Sequence, residues 1–331
     1  MFYNQNTGYG AALLNAIVSK VPTFGKVLIV CPSTDANFQK LQEVFRNDPE
    51  GDVRVFSTVA AAYDAAVTNR DDVIALTANT AHAVTEMLDV SKNRIHFVGM
   101  GGRDGAFGMG ARSRIVMGVT TAATDIAVMK NTGVGNTFTG IKFDSSNTKD
   151  ESLYAVAEGG EYAIYENCEF YKSSDLDETA AAEVLNNGDS TQWINCTIGS
   201  SANQIVGAII RPCMLLTATL SGKKCRDNIM YGCKLLRKCG NTANCFIYGA
   251  NATDVERLFE IENTLFFSNP LGSATPALGV SFGSAQTEGA VIIGQGCKSV
   301  DVTALGETGK GIYTLAPSSP TYATSGKAVA S

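Results

Sequence analysis

Apolar and polar positions recur in five segments of eighteen residues, 126–143, 153–170, 181–198, 218–235 and 249–266, which align without gaps and whose starts lie 27, 28, 37 and 31 residues apart. Position thirteen reads Phe138, Tyr165, Trp193, Met230 and Ile261; position sixteen reads Ile141, Cys168, Cys196, Cys233 and Thr264; position eighteen reads Phe143, Phe170, Ile198, Leu235 and Phe266. Between the last two columns the residue varies (Lys142, Glu169, Thr197, Lys234, Leu265), which is the period of two of a strand with one buried face. Position seventeen should therefore face water.

Positions thirteen and sixteen are three apart, so a straight strand would send them to opposite faces. Position fifteen supplies the bend: it is Gly140, Asn167, Asn195, Gly232 and Asn263, only the residue types that tolerate a left-handed backbone. One such residue turns a corner between two strands and leaves both flanking side chains pointing inward. Position eight is Gly133, Gly160 and Gly188, then Cys225 and Glu256, which predicts a second corner that relaxes in later copies. Strand, corner, strand and a looser return describe one coil of a parallel β-helix. Five strand-turn-strand pieces of a sandwich are the alternative, which a Gly/Asn column flanked by three apolar columns disfavours. In a β-helix, Cys168, Cys196 and Cys233 would stack about 4.8 Å apart as a buried ladder of small side chains rather than pair as disulfides.

On the N-terminal side, 58–67 (TVAAAYDAAV) predicts a short helix capped by Ser57 or Thr58, with strands at Val73–Leu76, Ala83–Leu88 and from Ile95 through Val98 to Gly99 and Gly101. Before it, Tyr9–Ser19 and Ala36–Arg46 predict helices, and Lys26–Val30 and Val53–Phe56 strands. The run from the helix to Gly101 resembles the first coil of pectate-lyase-like proteins and phage tailspikes, in which a helix closes the bottom of the stack. The resemblance is one of pattern over about 58–300. It implies a mainly β, right-handed parallel β-helix, a single-stranded solenoid spanning 58–314, with a small α/β lead-in at 1–57 and an extended tail at 315–331. A covering helix makes physical sense, because a bare terminal coil presents unpaired strand edges. About 28 residues per coil from Val73 to Val300 predicts about eight coils, a rod near 40 Å long.

Composition narrows the classes of function. Of the 331 residues 45% are hydrophobic and 18% charged, with 33 glycines against 8 prolines, which suits a folded chain with many tight corners. The formal charge of −6 comes with no basic block, so no nucleic-acid partner is expected. No apolar run approaches the eighteen or so residues of a spanning helix, Ala11–Val18 being broken by Asn15, so no membrane partner is expected. Nine cysteines, an odd number, without a secretory leader, are read as reduced, which implies folding in a cytoplasm.

Candidate chemistry is sparse. The densest acidic stretch, Asp175, Asp177 and Glu178, together with Asp144, Asp150 and Glu151 in the preceding connection, is the best glycosidase candidate, against the plainer reading of solvated loops. Cys225, Cys233, Cys239 and Cys245 lack the two-residue knuckle of a zinc site. His82 and His96 are read as strand residues with polar partners, and the Gly-rich run 99–110 lacks the ending of a phosphate loop. No catalytic set, metal or cofactor is expected.

The opening FYNQNTGYG, with VLIVCPSTDANFQKLQ and the 71–101 run, resembles virion structural proteins inferred from tailed-phage genomes. That resemblance implies a non-enzymatic capsid decoration protein, a homotrimer seated on the major capsid protein or another virion protein, assembled in the host cytoplasm. A tailspike or receptor-binding fibre that recognises, or cleaves, host surface polysaccharide is the alternative.

Overall fold

In the computed structural model the described residues are 25–45, 51–78, 80–101, 113–117, 126–145, 153–172, 182–205, 212–217, 224–239, 245–269 and 278–315. Three parallel sheets wind around one interior. Sheet A has eleven strands, and sheets B and C have eight each. From the strand Asp72–Leu76 onward the chain visits A, then B, then C, eight times over, so that eight coils stack before a final strand of A, Ile312–Thr314. Every described pairing between coils is parallel, and the fold is the expected right-handed parallel β-helix.

The register lays like residues over like. Phe138, Tyr165, Trp193, Met230 and Ile261 are consecutive cross-strand partners in sheet A. Phe143, Phe170, Ile198, Leu235 and Phe266 are consecutive partners in sheet B. Because parallel strands lie about 4.8 Å apart, rings in one column meet face to face. Centroids are 4.7 Å apart for Phe138–Tyr165 and 4.4 Å for Tyr165–Trp193, with planes within 11° and 5°. Below them Phe97 extends the stack at 5.1 Å from Phe138, and Tyr63 of the covering helix follows at 6.3 Å from Phe97.

The corner between sheets A and B is a single residue in every one of these coils. Gly140, Asn167, Asn195, Gly232 and Asn263 have φ of 69°, 54°, 52°, 67° and 49°, and Gly296 continues the column at 74°. The N–H groups of Gly140, Asn167, Asn195, Gly232 and Asn263 each donate to a carbonyl of the next coil, at 2.8–3.1 Å, so the bend leaves no backbone donor stranded. The residue after the corner points in. Cys168, Cys196, Cys233 and Cys297 donate through Sγ to the carbonyls of Phe138, Tyr165, Trp193 and Ile261 one coil away, at 3.3–3.4 Å. Burial pushes the Cys196 thiol well above its ordinary range, which keeps it a protonated donor.

Three expectations need correction. The second corner lies at position ten, not eight: Gly135, Tyr162, Ser190 and Asp227 carry the positive φ. Position eight is glycine for closeness instead, since a Cβ on Gly133 would collide with the Lys92 carbonyl and one on Gly160 with the Gly133 carbonyl. The stretch Ala83–Leu88 is not one strand; the chain bends at Thr85–Glu86, between Ala81–Val84 in sheet B and Leu88–Val90 in sheet C. Asp144 belongs to the strand Ile141–Ser145 rather than to the connection after it.

The N-terminal end is sealed from two sides. The helix Val59–Ala65 starts at Thr58, whose Oγ1 accepts from the Ala61 N–H at 3.2 Å, and it buries Val59, Ala62 and Tyr63 against the interior. Its C-terminal carbonyls are held by Lys92, whose Nζ donates to the carbonyls of Tyr63, Asp64 and Ala66 at 2.7–2.9 Å. Buried Asp72 ties the next turn, accepting from Arg70 through both oxygens and from the Val67 N–H, all at 2.7 Å. The lead-in strands Val27–Val30 and Val55–Phe56 extend sheet A itself. The helix Phe38–Val44 lays Phe38 and Leu41 over Val73, Ala75 and Val98 on that sheet's outer side. The segment 9–19 lies outside the described residues.

Replacing Asn195 by Val puts a β-branched residue at φ 52°. The strain should lower stability by about 1–3 kcal/mol, read as a drop in melting temperature; an unchanged melting temperature would remove the corner's role.

Candidate functional site

Of the acidic candidates, Asp150, Glu151, Asp175, Asp177 and Glu178 lie outside the described residues. Asp144 is described, and it sits on the outer side of sheet B, where alternation carries Arg114, Lys142 and Glu169 in one row and Asp144 and Tyr171 in the next. Lys142 Nζ is 3.1 Å and Arg114 Nη1 3.8 Å from Asp144 Oδ2, and Lys142 also lies 4.6 Å over the Tyr171 ring. Asp144 is 3% exposed, and its Oδ1 has no hydrogen-bond partner. The result is a compact clamp of two cations, a carboxylate and an aromatic face.

A second charged array follows the edge between sheets C and A. Arg94 makes an ion pair with Asp71, whose other neighbour is His96, Nε2 to Oδ1 at 3.3 Å. The Arg94 hydrogen bond holds the Asp71 carboxyl below the usual carboxylate range. Higher up, Glu161, Asp189 and Arg226 are bridged in register, Arg226 pairs with Asp189 and lies 3.9 Å from Glu256, and Arg257 pairs with Asp227. Burial alone would raise the Asp189 carboxyl, but the bonds from Arg226 and Ser190 outweigh it and lower it. These are exposed or half-exposed pairs of modest energy, and they align the edge rather than hold it.

The interior holds polar groups that sequence reasoning missed. Glu158 is fully buried, and its carboxylate accepts from Asn131 Nδ2 at 2.9 Å, the Gly160 N–H at 2.6 Å and the Tyr165 hydroxyl at 2.5 Å. Asn136 extends the network, donating to Asn131 Oδ1 at 2.9 Å and accepting from the Ile95 N–H at 2.8 Å. The signal was available: position six reads Asn131, Glu158, Asn186, Lys223 and Asp254, a polar column, and its four described members are fully buried. One coil pair further on, Arg237 of sheet B reaches Glu183 beside sheet C with both nitrogens, at 2.6 and 2.5 Å, and also donates to the Pro212 carbonyl. Such a buried bidentate pair costs much to break even where it adds little net stability.

His82 points inward with Nε2 2.9 Å from the Thr77 carbonyl, and His96 places Nδ1 2.8 Å from Thr137 Oγ1. Burial lowers both imidazoles below their ordinary value. Cys225, Cys233 and Cys245 fall on sheet A, at the start of B and before C, around three sides of one coil, and the Cys239 side chain is outside the described set. Among the described residues no group of three His, Cys, Asp or Glu side chains is placed to hold a metal ion, and no helix is long and apolar enough to cross a membrane.

Comparison with known proteins places this geometry. No protein-family model matches the chain, and no curated protein does. Among solved structures, pectate lyase Pel9A superposes with a TM-score of 0.53 at 15% identity over 88% of this chain, which spans 66% of that protein's length. Pectin methylesterase from carrot gives 0.47 at 14% identity, covering 89% of this chain and 90% of that one. ORF18 of Geobacillus virus E2 gives 0.45 at 12% identity, covering 93% and 61%. The expectation of a chain outside enzyme chemistry is thereby corrected: this architecture is one that an enzyme, pectate lyase Pel9A, also has. The reason the sequence misled is physical, since outward side chains that would carry chemistry obey none of the inward columns from which the fold was read.

Two outcomes follow. Tyr165→Phe keeps the ring stack but removes one donor from the buried Glu158 carboxylate, and should cost about 1–3 kcal/mol in urea unfolding. Because the folded-state values of His82 and His96 are depressed, the unfolded chain takes up protons first as pH falls below about 6.5, so stability present above that value is lost on acidification. Melting temperatures between pH 8 and pH 5 should show that slope, and His82→Gln with His96→Gln should flatten it.

Proposed function

We propose that this chain is a structural component of a tailed-phage virion, a decoration protein that stands on the capsid as a homotrimer and is anchored through the segment 1–57. The observation that carries the reading is the lead-in. Its VLIVCPSTDANFQKLQ stretch resembles virion structural proteins, and its strands are continuous with sheet A, so force applied at an anchor there passes directly into the backbone ladder of the rod. A stacked core with interlocking aromatic rings suits a part that must keep its shape on a particle surface.

A second reading, recognition or cleavage of host surface polysaccharide, is favoured by the architecture shared with pectate lyase. One experiment separates the two. Particles imaged by electron microscopy should show density for this chain on the head, and loss of its gene should remove that density; density on the tail favours the second reading. Incubation of the purified protein with host surface polysaccharide, with release of reducing ends measured beside Asp175→Asn/Asp177→Asn, reports cleavage directly.

A further inference from the structure

The outer faces of sheets A and B differ in charge where they flank the corner column. On sheet A above the third coil the outward residues nearest the corner column include Glu166, Glu260 and Glu262, while Arg226 and Arg257, toward the sheet C end of their strands, pair with Asp189 and Asp227. On sheet B the outward rows carry Arg114, Lys142, Lys234, Lys238 and Lys298 against Glu169 and the buried Asp144. Of these, Glu260, Glu262, Lys234 and Lys298 form no ion pair among the described residues. The same coils expose apolar surface on both faces: Ile229 at 39% and Tyr231 at 45% on A, Val300 at 40% on B, with Leu265 and Phe267 half-buried beside it.

Relative height decides what these faces can meet. Rotation about an axis parallel to the rod moves no coil up or down, so in a cyclic assembly face A of one copy meets face B of the next at the same level. Glu260 and Glu262 lie in the seventh coil. The lysines of face B lie in the sixth and eighth, Lys234 and Lys298, one strand spacing below and one above the registered Leu265. Each acidic pair would thus fall between two lysines about 4.8 Å to either side, over a floor of Leu265 and Phe267. Ile229 and Tyr231 of the sixth coil would face Leu236.

We infer that the outer faces of sheets A and B in the sixth to eighth coils bind each other between copies of this chain, in a head-to-tail ring with the corner column nearest the axis. The inference rests on the homotrimer reading and names its surfaces. Opposite charge across the contact sets register and rate of assembly, and the apolar residues supply the area removed from water.

The test is sedimentation velocity and native mass spectrometry of the full chain, with circular dichroism to confirm that each variant is folded. The native protein should be a trimer. Glu260→Lys/Glu262→Lys should raise the dissociation constant by about tenfold or more, and Lys234→Glu/Lys298→Glu likewise. Combining all four changes restores opposite charge across the contact and should restore the trimer. A trimer untouched by either reversal overturns the assigned faces and leaves the homotrimer standing, as does a combined variant no better than its parents. A native chain that stays monomeric at every concentration overturns both.

Discussion

Parallel backbone pairing between successive coils is the constraint from which the rest of this structure follows. Each strand inside the stack is bonded to the strand one coil before and one coil after, which fixes the distance between equivalent residues at the strand spacing and leaves the sequence no freedom to choose other neighbours. A residue in the interior is therefore judged against copies of itself. Aromatic rings satisfy that condition by stacking, and the series from Tyr63 through Phe97, Phe138 and Tyr165 to Trp193 uses it over five levels. The indole N–H of Trp193 is left without a hydrogen-bond partner in that position, which shows which demand prevails when stacking and polar satisfaction conflict.

Corners are the second consequence. A closed coil must turn, and a turn of one residue keeps the register of the columns only if each coil makes it at the same place. That explains why Gly140, Asn167, Asn195, Gly232 and Asn263 all adopt positive φ while differing in side chain, and why the thiol after the corner finds the same carbonyl each time. Where a cysteine is replaced by Thr264, the hydroxyl turns to the Glu262 carbonyl of its own coil at 2.9 Å. Cysteine and threonine suit this site because a carbonyl there accepts a bond, while Ile141 fills the same place in its own coil with apolar surface alone.

The columns that repeat were legible in the sequence because the repeat multiplies each signal: one Asn before one Cys means little, but a Gly/Asn column ahead of three cysteines and two other small or branched residues specifies a bend. The registers of Phe138 with Tyr165 and of Phe143 with Phe170 could be read from alignment alone. What escaped was whatever the repeat does not enforce. Glycine at position eight looked like a corner because glycine serves close approach and left-handed backbone equally well, and only the neighbouring Lys92 and Gly133 carbonyls distinguish the two. Glu158 was missed although position six repeats as a polar column, because polar columns read as surface, and the Arg237–Glu183 pair because charged residues in a variable position read the same way; here they are buried and fully engaged.

A solenoid of this kind separates the two tasks of a sequence more cleanly than most folds do. Inward positions answer to the coils above and below, so they are strongly patterned and say little about role. Outward positions answer only to what the molecule meets, so they carry the role and show little pattern. On sheet B the outward rows change from the Arg114–Lys142–Asp144 clamp at one end to lysines with no ion pair among the described residues, set among apolar residues, at the other, while the inward column from Phe143 to Phe266 continues in register. Charge left unpaired beside exposed apolar surface is hard to account for in a lone rod, since an internal partner could be gained by one substitution at no cost to the core. Its persistence on two faces that share an edge, acidic on one and basic on the other, is what a surface designed for contact would look like, and the strict conservation of height along the coil is what makes such contacts able to specify one partner alignment.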